Sequence, residues 1–470
     1  MDSQDSSTPH VVLFPYMSKG HIMPMLQLAH LLLRHRRAAG DNISVTVFTT
    51  TGNRPFVSGY LSDTTAKIID IPFPQNIPEI PPGVESTDKL PSMSLYVPFT
   101  RATVVMQPEF ERALGSLPRV SFMVSDGFLW WTLHSARKLG FPRLVFYGMS
   151  CHSSCIVESV FKNRILSRVE SETEQVSVPE FPWIKVAKCD FDHVITDPNL
   201  KGPEFELIID HVTSTNQSDG IIFNTFDDLE PTFLDFYKRT SGLNPWTLGP
   251  LCLAERPRTT TRQDEERKSY WIQWLDQKLD KGCHVLYVAF GTQAEISRAQ
   301  LLEIAAGLEE SKVNFLWVVR EKQGEGDVGG EGFEERVMER GLVVREWVDQ
   351  REILGHESVK GFLSHCGWNS TLDSVCAKVP ILAMPMMAEQ PLNAKLAVEE
   401  LKVAERVKAI EGFVGRKEIS EKVKELMEGE IGKELKKIIE ECGEMAKNAM
   451  EEEIGSSWKN LNLLITELCD

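Results

Sequence analysis

Apolar residues in this chain come in short dense bursts, separated by longer stretches in which they recur at helical spacing. "VVLFPY" (11–16) is a run bounded by Pro and Gly, as a buried parallel strand would be. After the loop 17–20, apolar positions repeat every three or four residues through Leu33. "ISVTVFTT" (43–50) is a β-branched strand, and "SFMVSDG" (121–127) and "PRLVFYG" (142–148) flank another helical stretch. This alternation predicts a parallel sheet with helices on both faces.

The pattern stops near "NPWTLGPLCLAERPRTTTRQDEERKS" (244–269), where Pro, Thr and mixed charge replace periodicity and predict an interdomain linker. It restarts with "HVLYVAFG" (284–291), a helix from about Arg298, "FLWVVR" (315–320), "GLVVREW" (341–347), "VKGFLSHCG" (359–367) and "PILAMP" (380–385). Two doubly wound α/β halves are therefore expected: a first domain at 1–250, a linker at 251–270, a second domain at 271–450 and a terminal helix at 451–470. The Glu- and Lys-rich stretch 416–453 reads as a solvated helical face.

Composition narrows the function. The chain has 470 residues, 42% hydrophobic and 25% charged, which is ordinary for a soluble globular protein. A net charge of -17 argues against nucleic acid and against an anionic membrane surface. No run approaches the roughly 20 apolar residues of a membrane span, and the polar, acidic N-terminus is not a targeting signal. The nine cysteines show no C-x-x-C pair and no zinc spacing, so they are expected as reduced thiols in the cytoplasm, with no metal. Cys151 and Cys155 form the one close pair, as helical i,i+4 neighbours. "GEGDVG" (324–329) matches a dinucleotide fingerprint, but Glu321, Glu325, Asp327 and Glu331 would repel a pyrophosphate.

Candidate chemistry concentrates in "FLSHCGWNST" (362–371). It follows a strand, and ligands of parallel sheets bind at the strands' carboxyl ends. Gly367 allows close backbone approach. Asn369 and Ser370 read as the cap of a following helix, whose N-terminus is an anion site. His365 can add a donor or a positive charge. A phosphate is expected at His365, Asn369 and Ser370, with a self-capped helix beside a buried indole as the simple alternative. Trp347, read as a strand end, can offer a flat face to a base, and Asp373, one turn deeper, can accept from ribose hydroxyls. "MMAEQP" (386–391) brings Glu389 and Gln390 to the same edge.

The stretch 347–390, with "HCGWNST" and "AEQ" in place, resembles the signature box of plant family 1 glycosyltransferases, which use UDP-sugars. The similarity runs from "GHIMP" near the start to "GSSWKNL" (455–461) near the end. It implies the GT-B fold, with two Rossmann-like domains facing a central cleft and a C-terminal helix returning to the first. It implies that Trp347 stacks on uracil, that the backbone of Val348 reads the base edge, and that Gln350 and Asp373 contact the ribose. His365, Asn369, Ser370 and Thr292 would hold the diphosphate, with Gly367 at the turn. Trp368, Glu389 and Gln390 would face the sugar, and Gln390 goes with glucose.

Three positions depart from the family pattern. Asp349 stands where proline is common, so the loop is expected to be less stiff. Asp373 replaces the usual Glu, which is expected to leave one ribose bond long or bridged by water. Gly148 replaces a Ser or Thr near the sugar.

The base must come from the first half. His21 in "KGHIMP" (19–24) sits at the first strand-to-helix turn and has the side chain suited to a neutral-pH base. Alone, such a histidine is more often a cap or a packed residue. The resemblance matches His21 to the family's base and Asp126 in "SDGFLWW" to its partner carboxylate, for which a simple turn-former is the alternative. Phe128 and Tyr147 are the candidate acceptor-lining residues, among aromatics (Trp130, Trp131, Phe146) that are partly core.

The expected activity is inverting transfer of glucose from UDP-glucose to a hydroxyl of a small lipophilic acceptor, a flavonoid or other phenol first, by a monomer without a cofactor. Extension of a sugar already on the acceptor is an alternative, as is a catalytically idle UDP-sugar binder. A nicotinamide oxidoreductase fails because "YMSKGHIMP" has one glycine after the first strand.

Overall fold

The computed structural model describes residues 8–39, 43–255, 268–320, 328–410 and 412–469. Two compact units form. The first comprises Met1–Lys188, His193–Glu255 and Asn448–Asp470; the second comprises Cys189–Asp192 and Arg256–Lys447.

In the first unit, strands β1 (His10–Phe14), β2 (Ser44–Thr50), β3 (Lys67–Ile71), β4 (Phe122–Asp126) and β5 (Arg143–Tyr147) lead to a small hairpin, β6 (Val176–Val178) and β7 (Phe181–Val186), and then to β8 (Gly220–Phe223) and β9 (Pro245–Thr247). Seven of them make one sheet in the order β3-β2-β1-β4-β5-β8-β9, parallel at every pairing. Every residue of β1 is buried because both faces are covered. Val11 and Leu13 pack against Ile22, Leu26 and the C-terminal Trp458 and Leu461. Val12 and Phe14 pack against Phe48, Phe110 and Trp131 on the other side. The C-terminal helix Ser456–Cys469 is fixed by polar contacts as well, Asn460 Nδ2 donating to Thr247 Oγ1 at 2.6 Å.

The second unit repeats the plan with β10 (Val285–Ala289), β11 (Asn314–Val318), β12 (Gly341–Val344), β13 (Val359–Ser364), β14 (Ile381–Ala383) and β15 (Ala404–Arg406), in the parallel order β12-β11-β10-β13-β14-β15. Leu286 and Val288 face one core, and Val285 and Tyr287 face the other. In this unit Asp190 lies within 3.5 Å of Lys395 Nζ and 3.8 Å of Arg406 Nη1.

In each sheet the strand order reverses once, between β1 and β4 in the first and between β10 and β13 in the second. Such reversals splay the connecting loops apart and leave a crevice at the strands' carboxyl ends.

The structure corrects several expectations. The segment read as the start of a linker contains β9, an edge strand whose leading Pro245 has no ladder bond to lose on its open side. Residues 256–267 of the linker, and 324–327 of "GEGDVG", lie outside the described residues. β12 ends at Val344, so Trp347 sits in the following loop, not at a strand end. The charged stretch 416–453 forms the helices Arg416–Glu428 and Glu430–Ala449, and it is not only a solvated face: Ile419, Val423 and Leu426 enter the core. Cys151 and Cys155 share the helix Cys151–Asn163, with sulfurs 4.0 Å apart and no disulfide.

Candidate active site

The first unit's switch point holds His21 and Asp126. β1 feeds the helix Lys19–Ala39, whose first turn closes on the carbonyl of Ser18, which accepts from His21 N at 2.9 Å and Ile22 N at 2.8 Å. This places the imidazole over the end of β4, where Asp126 is the last residue. His21 Nδ1 lies 2.7 Å from Asp126 Oδ2. The other carboxylate oxygen accepts the backbone N–H of Phe128 at 3.0 Å, so Asp126 is turn-former and histidine partner at once. A carboxylate only accepts, so Nδ1 of a neutral His21 carries the proton and Nε2 bears the lone pair. Asp126 is fully buried, while the His21 side chain keeps 19% exposure, enough to meet a substrate.

An aromatic set surrounds the pair. Phe128 lies 5.1 Å from the His21 ring, with Tyr16, Tyr96, Tyr147 and His211 rings 5.0–6.0 Å from Phe128. Tyr16 Oη bonds Thr100 Oγ1 at 2.6 Å. Burial holds His211 neutral by lowering its pKa to about 3. Tyr147 Oη is hydrogen-bonded to Thr215 Oγ1 at 2.7 Å. Its seat exists because residue 127 is glycine: a Cβ there would stand 2.0 Å from the Tyr147 ring. Phe146 and Trp131 are core. Gly148 lies beside the imidazole: a Cβ there would sit in ordinary contact with it, 3.7 Å from His21 Cε1.

The second unit's switch point holds the box residues. After β10, Gly291 turns with φ +74 and is followed by Thr292; after β13 come His365, Cys366 with φ +61, and Gly367. A Cβ on Gly291 would stand 2.7 Å from His365 Nε2, and one on Gly367 would stand 2.6 Å from it. The two glycines thus make a slot for the imidazole edge. His365 cannot supply the positive charge that was open to it from the sequence: burial lowers its pKa to about 4, so it is neutral at pH 7 and acts through a ring N–H.

The helix after it spans Trp368–Ala377 and is capped by Gly367, with no side-chain cap bond. Asn369 and Ser370 are therefore its second and third residues, not its cap. The first N–H groups of this helix therefore belong to Trp368, Asn369 and Ser370, at the turn that follows β13. The Trp368 indole is 1% exposed, so the ring packs inward and only its backbone or edge can face a sugar.

Gln350 ties the next layer together. Its Nε2 donates to Asp373 Oδ2 at 2.8 Å and Ser370 Oγ at 3.1 Å. Gln350 opens the short helix Gln350–Leu354, and Asp349 caps it, accepting Arg351 N at 3.0 Å. The Asp349 φ of -76° is one proline also adopts, and the carboxylate adds a cap bond that proline could not make. Trp347 is 45% exposed, unusual for an indole, while Val348 is buried.

At the sugar end, Gln390 Oε1 accepts from Met386 N at 3.0 Å and Met387 N at 3.2 Å. Both lone pairs of that oxygen are used, so Gln390 offers a ligand only its NH2 and not the donor-and-acceptor pair expected. Asn393, missed in the sequence because it lies just beyond the box, is fully buried and donates to Cys366 O at 3.1 Å and Glu389 Oε1 at 3.3 Å. One amide thereby links the two turns that carry the candidate phosphate and sugar residues.

Comparison with known proteins agrees with this geometry. The family "UDP-glucoronosyl and UDP-glucosyl transferase" matches residues 274–439. UDP-glycosyltransferase 90A2 of Arabidopsis thaliana is 67% identical over 98% of both chains. Glycyrrhiza uralensis UGT73P12, solved with glycyrrhetinic acid 3-O-monoglucuronide, matches with TM-score 0.86 and 28% identity over 98% of this chain and 96% of that one. Phytolacca americana UGT2, solved with UDP-2fluoro-glucose and pterostilbene, matches with TM-score 0.79 and 28% identity over 98% and 100%. The chain belongs to the plant family 1 UDP-glycosyltransferases. It has the GT-B class of fold and is a glycosyltransferase that acts with UDP-sugars on small molecules.

Proposed function

We propose that the protein transfers glucose from UDP-glucose to a hydroxyl of a small, lipophilic phenol, flavonoids first, and releases a β-glucoside and UDP. The carrying observation is the His21–Asp126 pair at 2.7 Å, with an outward Nε2 beside aromatic rings. Nε2 takes the acceptor's proton as its oxygen attacks the anomeric carbon; that bond forms while the bond to UDP breaks. A single displacement with no covalent nucleophile inverts the centre. Asp126 orients the imidazole and stabilises its cation. Phe128 and the ring of Tyr147 offer flat apolar walls suited to a phenol.

On this reading Trp347 stacks on uracil, Val348 reads its edge through the backbone, and Asp373 with Gln350 holds the ribose. Thr292, His365, Gly367, Asn369 and Ser370 hold the diphosphate. The N-terminus of the helix that begins at Trp368 meets the leaving charge with its dipole, a role that needs no metal. Trp368, Glu389 and Gln390 meet the sugar. The Phytolacca relative's ligands, a fluorinated UDP-glucose and a stilbene phenol, support donor and acceptor class. A second reading, extension of a sugar already on the acceptor, is favoured by the glycoside bound to the Glycyrrhiza relative.

Among the described residues no helix is long and apolar enough to cross a membrane, and the cysteines are free thiols, as in proteins of a reducing compartment. The test is an acceptor panel with UDP-glucose and UDP-galactose in competition, read by product mass and anomeric coupling. β-Glucosides of phenols are expected. Preferential galactosides, or products only from glycosylated acceptors, would overturn the first reading.

A further inference from the structure

The first unit carries a buried charge that neither the fold nor the proposed chemistry has yet explained. Arg143, the first residue of β5, is fully buried. Its guanidinium donates to Ser125 Oγ at 2.8 Å, Ser218 Oγ at 2.7 Å and the backbone carbonyl of Asp126 at 3.2 Å. None of these hydrogen bonds goes to a carboxylate side chain. Burying a cation on neutral partners alone is costly, so a negative charge must offset it nearby. The groups facing it are Asp126 on β4, Asp219 before β8, which accepts the Arg143 backbone N–H at 2.8 Å, and Tyr147 on its own strand. Despite burial the guanidinium's pKa falls only to about 10, so it remains charged at neutral pH.

Asp126 is equally buried and also needs a partner charge. Its side chain holds His21, and its backbone rests on the guanidinium. Asp126 thus bonds both, the imidazole through its side chain and the guanidinium through its backbone. We propose that Arg143 is a positioning residue which holds the end of β4 and counter-balances Asp126, thereby setting the pH at which His21 is free to act as base. With Arg143 in place, the Arg143–Asp126 pair is neutral and His21 need not be protonated to balance it. Without the cation, the attraction of the carboxylate falls wholly on the imidazole, which then keeps its proton to higher pH and stands idle. The other groups facing the imidazole do not replace this charge. Tyr16 is a buried phenol, His211 beyond Phe128 is neutral, and Lys19 is paired with Asp88 at 3.3 Å.

The inference rests on the reading of His21 as base, so His21→Ala is measured alongside. The test is the pH profile of kcat/KM for Arg143→Gln, which keeps donors and loses the charge, and Arg143→Lys, which keeps the charge and loses the fork. The glutamine variant should move the acid limb upward by roughly one pH unit, with the KM for UDP-sugar unchanged. The lysine variant should lower the plateau and leave the limb in place. A limb unmoved in Arg143→Gln, or moved equally in both variants, overturns the charge role. If the glutamine variant does not fold, Ser218→Ala carries the test: it loosens the fork and keeps the charge, so its limb must stay in place, and a moved limb overturns the inference. If His21→Ala keeps full activity, the reading of the base has failed instead.

Discussion

His365 Nε2 occupies the place a side chain on Gly291 would need, 2.7 Å from where the first carbon would lie. Gly291 also has φ +74, a conformation that costs other residues roughly 1 kcal/mol or more. Gly291→Ala should therefore displace the imidazole and raise the dissociation constant of UDP at least several-fold. In a double-mutant cycle with His365→Ala, the two losses should be clearly less than additive, because the second change removes what the first displaces. Strict additivity by calorimetry would show that the slot is not a shared element.

Much of this was legible in advance because buried parallel strands are apolar throughout. The runs at 11–16, 121–127 and 284–291 became β1, β4 and β10 with ends shifted by one or two residues. β3, the hairpin β6–β7, β8, β9 and β15 were missed; β9 and β15 have three residues each, too few for periodicity, and each is an edge. Asp126 and His365 could be named because they end or directly follow strong strands, and His21 because it lies in the first turn of the helix that follows one. Arg143 left a trace, a charge opening an otherwise apolar run, but nothing in the run says what lies under it. Asn393 left none, since nothing in the sequence shows that its amide reaches the backbone carbonyl of Cys366. Helix caps were misplaced at Asn369 because a glycine with extended geometry did the same work.

Gln390 offers only its NH2 to a sugar, since its oxygen holds the Met386 and Met387 N–H groups. Gln390→Glu keeps that oxygen and removes the donor. The KM for UDP-glucose should rise about tenfold, the loss of one hydrogen bond of roughly 1.5 kcal/mol, with the melting temperature little changed. A large fall in melting temperature would show that the residue is chiefly a loop brace.

Asp349 caps the helix that carries Gln350. Asp349→Ala should destabilise that turn by about 1 kcal/mol. Because Gln350 holds Asp373, the effect should appear as a several-fold higher KM for UDP-sugar at unchanged kcat. A fall in kcat alone would place Asp349 elsewhere in the reaction.

His211 is held neutral by burial, with a pKa of about 3 against an ordinary 6.5. A folded-state pKa below the unfolded value means the stability contribution is complete above pH 6.5 and is lost as pH falls below it. At pH 5.5 the loss is about 1.4 kcal/mol. His211→Phe, packed between Phe128 and Trp130, should shrink the drop in melting temperature between pH 7 and pH 5.5. An unchanged drop would mean that His211 does not stay neutral.

The most direct test of the central claim is His21→Ala, assayed at once for transfer and for UDP binding. Losing a general base costs about 100- to 10,000-fold in rate. The base belongs to the first unit and the UDP residues to the second. Transfer of glucose to a phenol should therefore fall by at least two orders of magnitude, while the calorimetric dissociation constant of UDP stays within about twofold of the parent. Near-full transfer by His21→Ala, above all to an aliphatic alcohol whose proton is hardest to remove, would contradict the assignment.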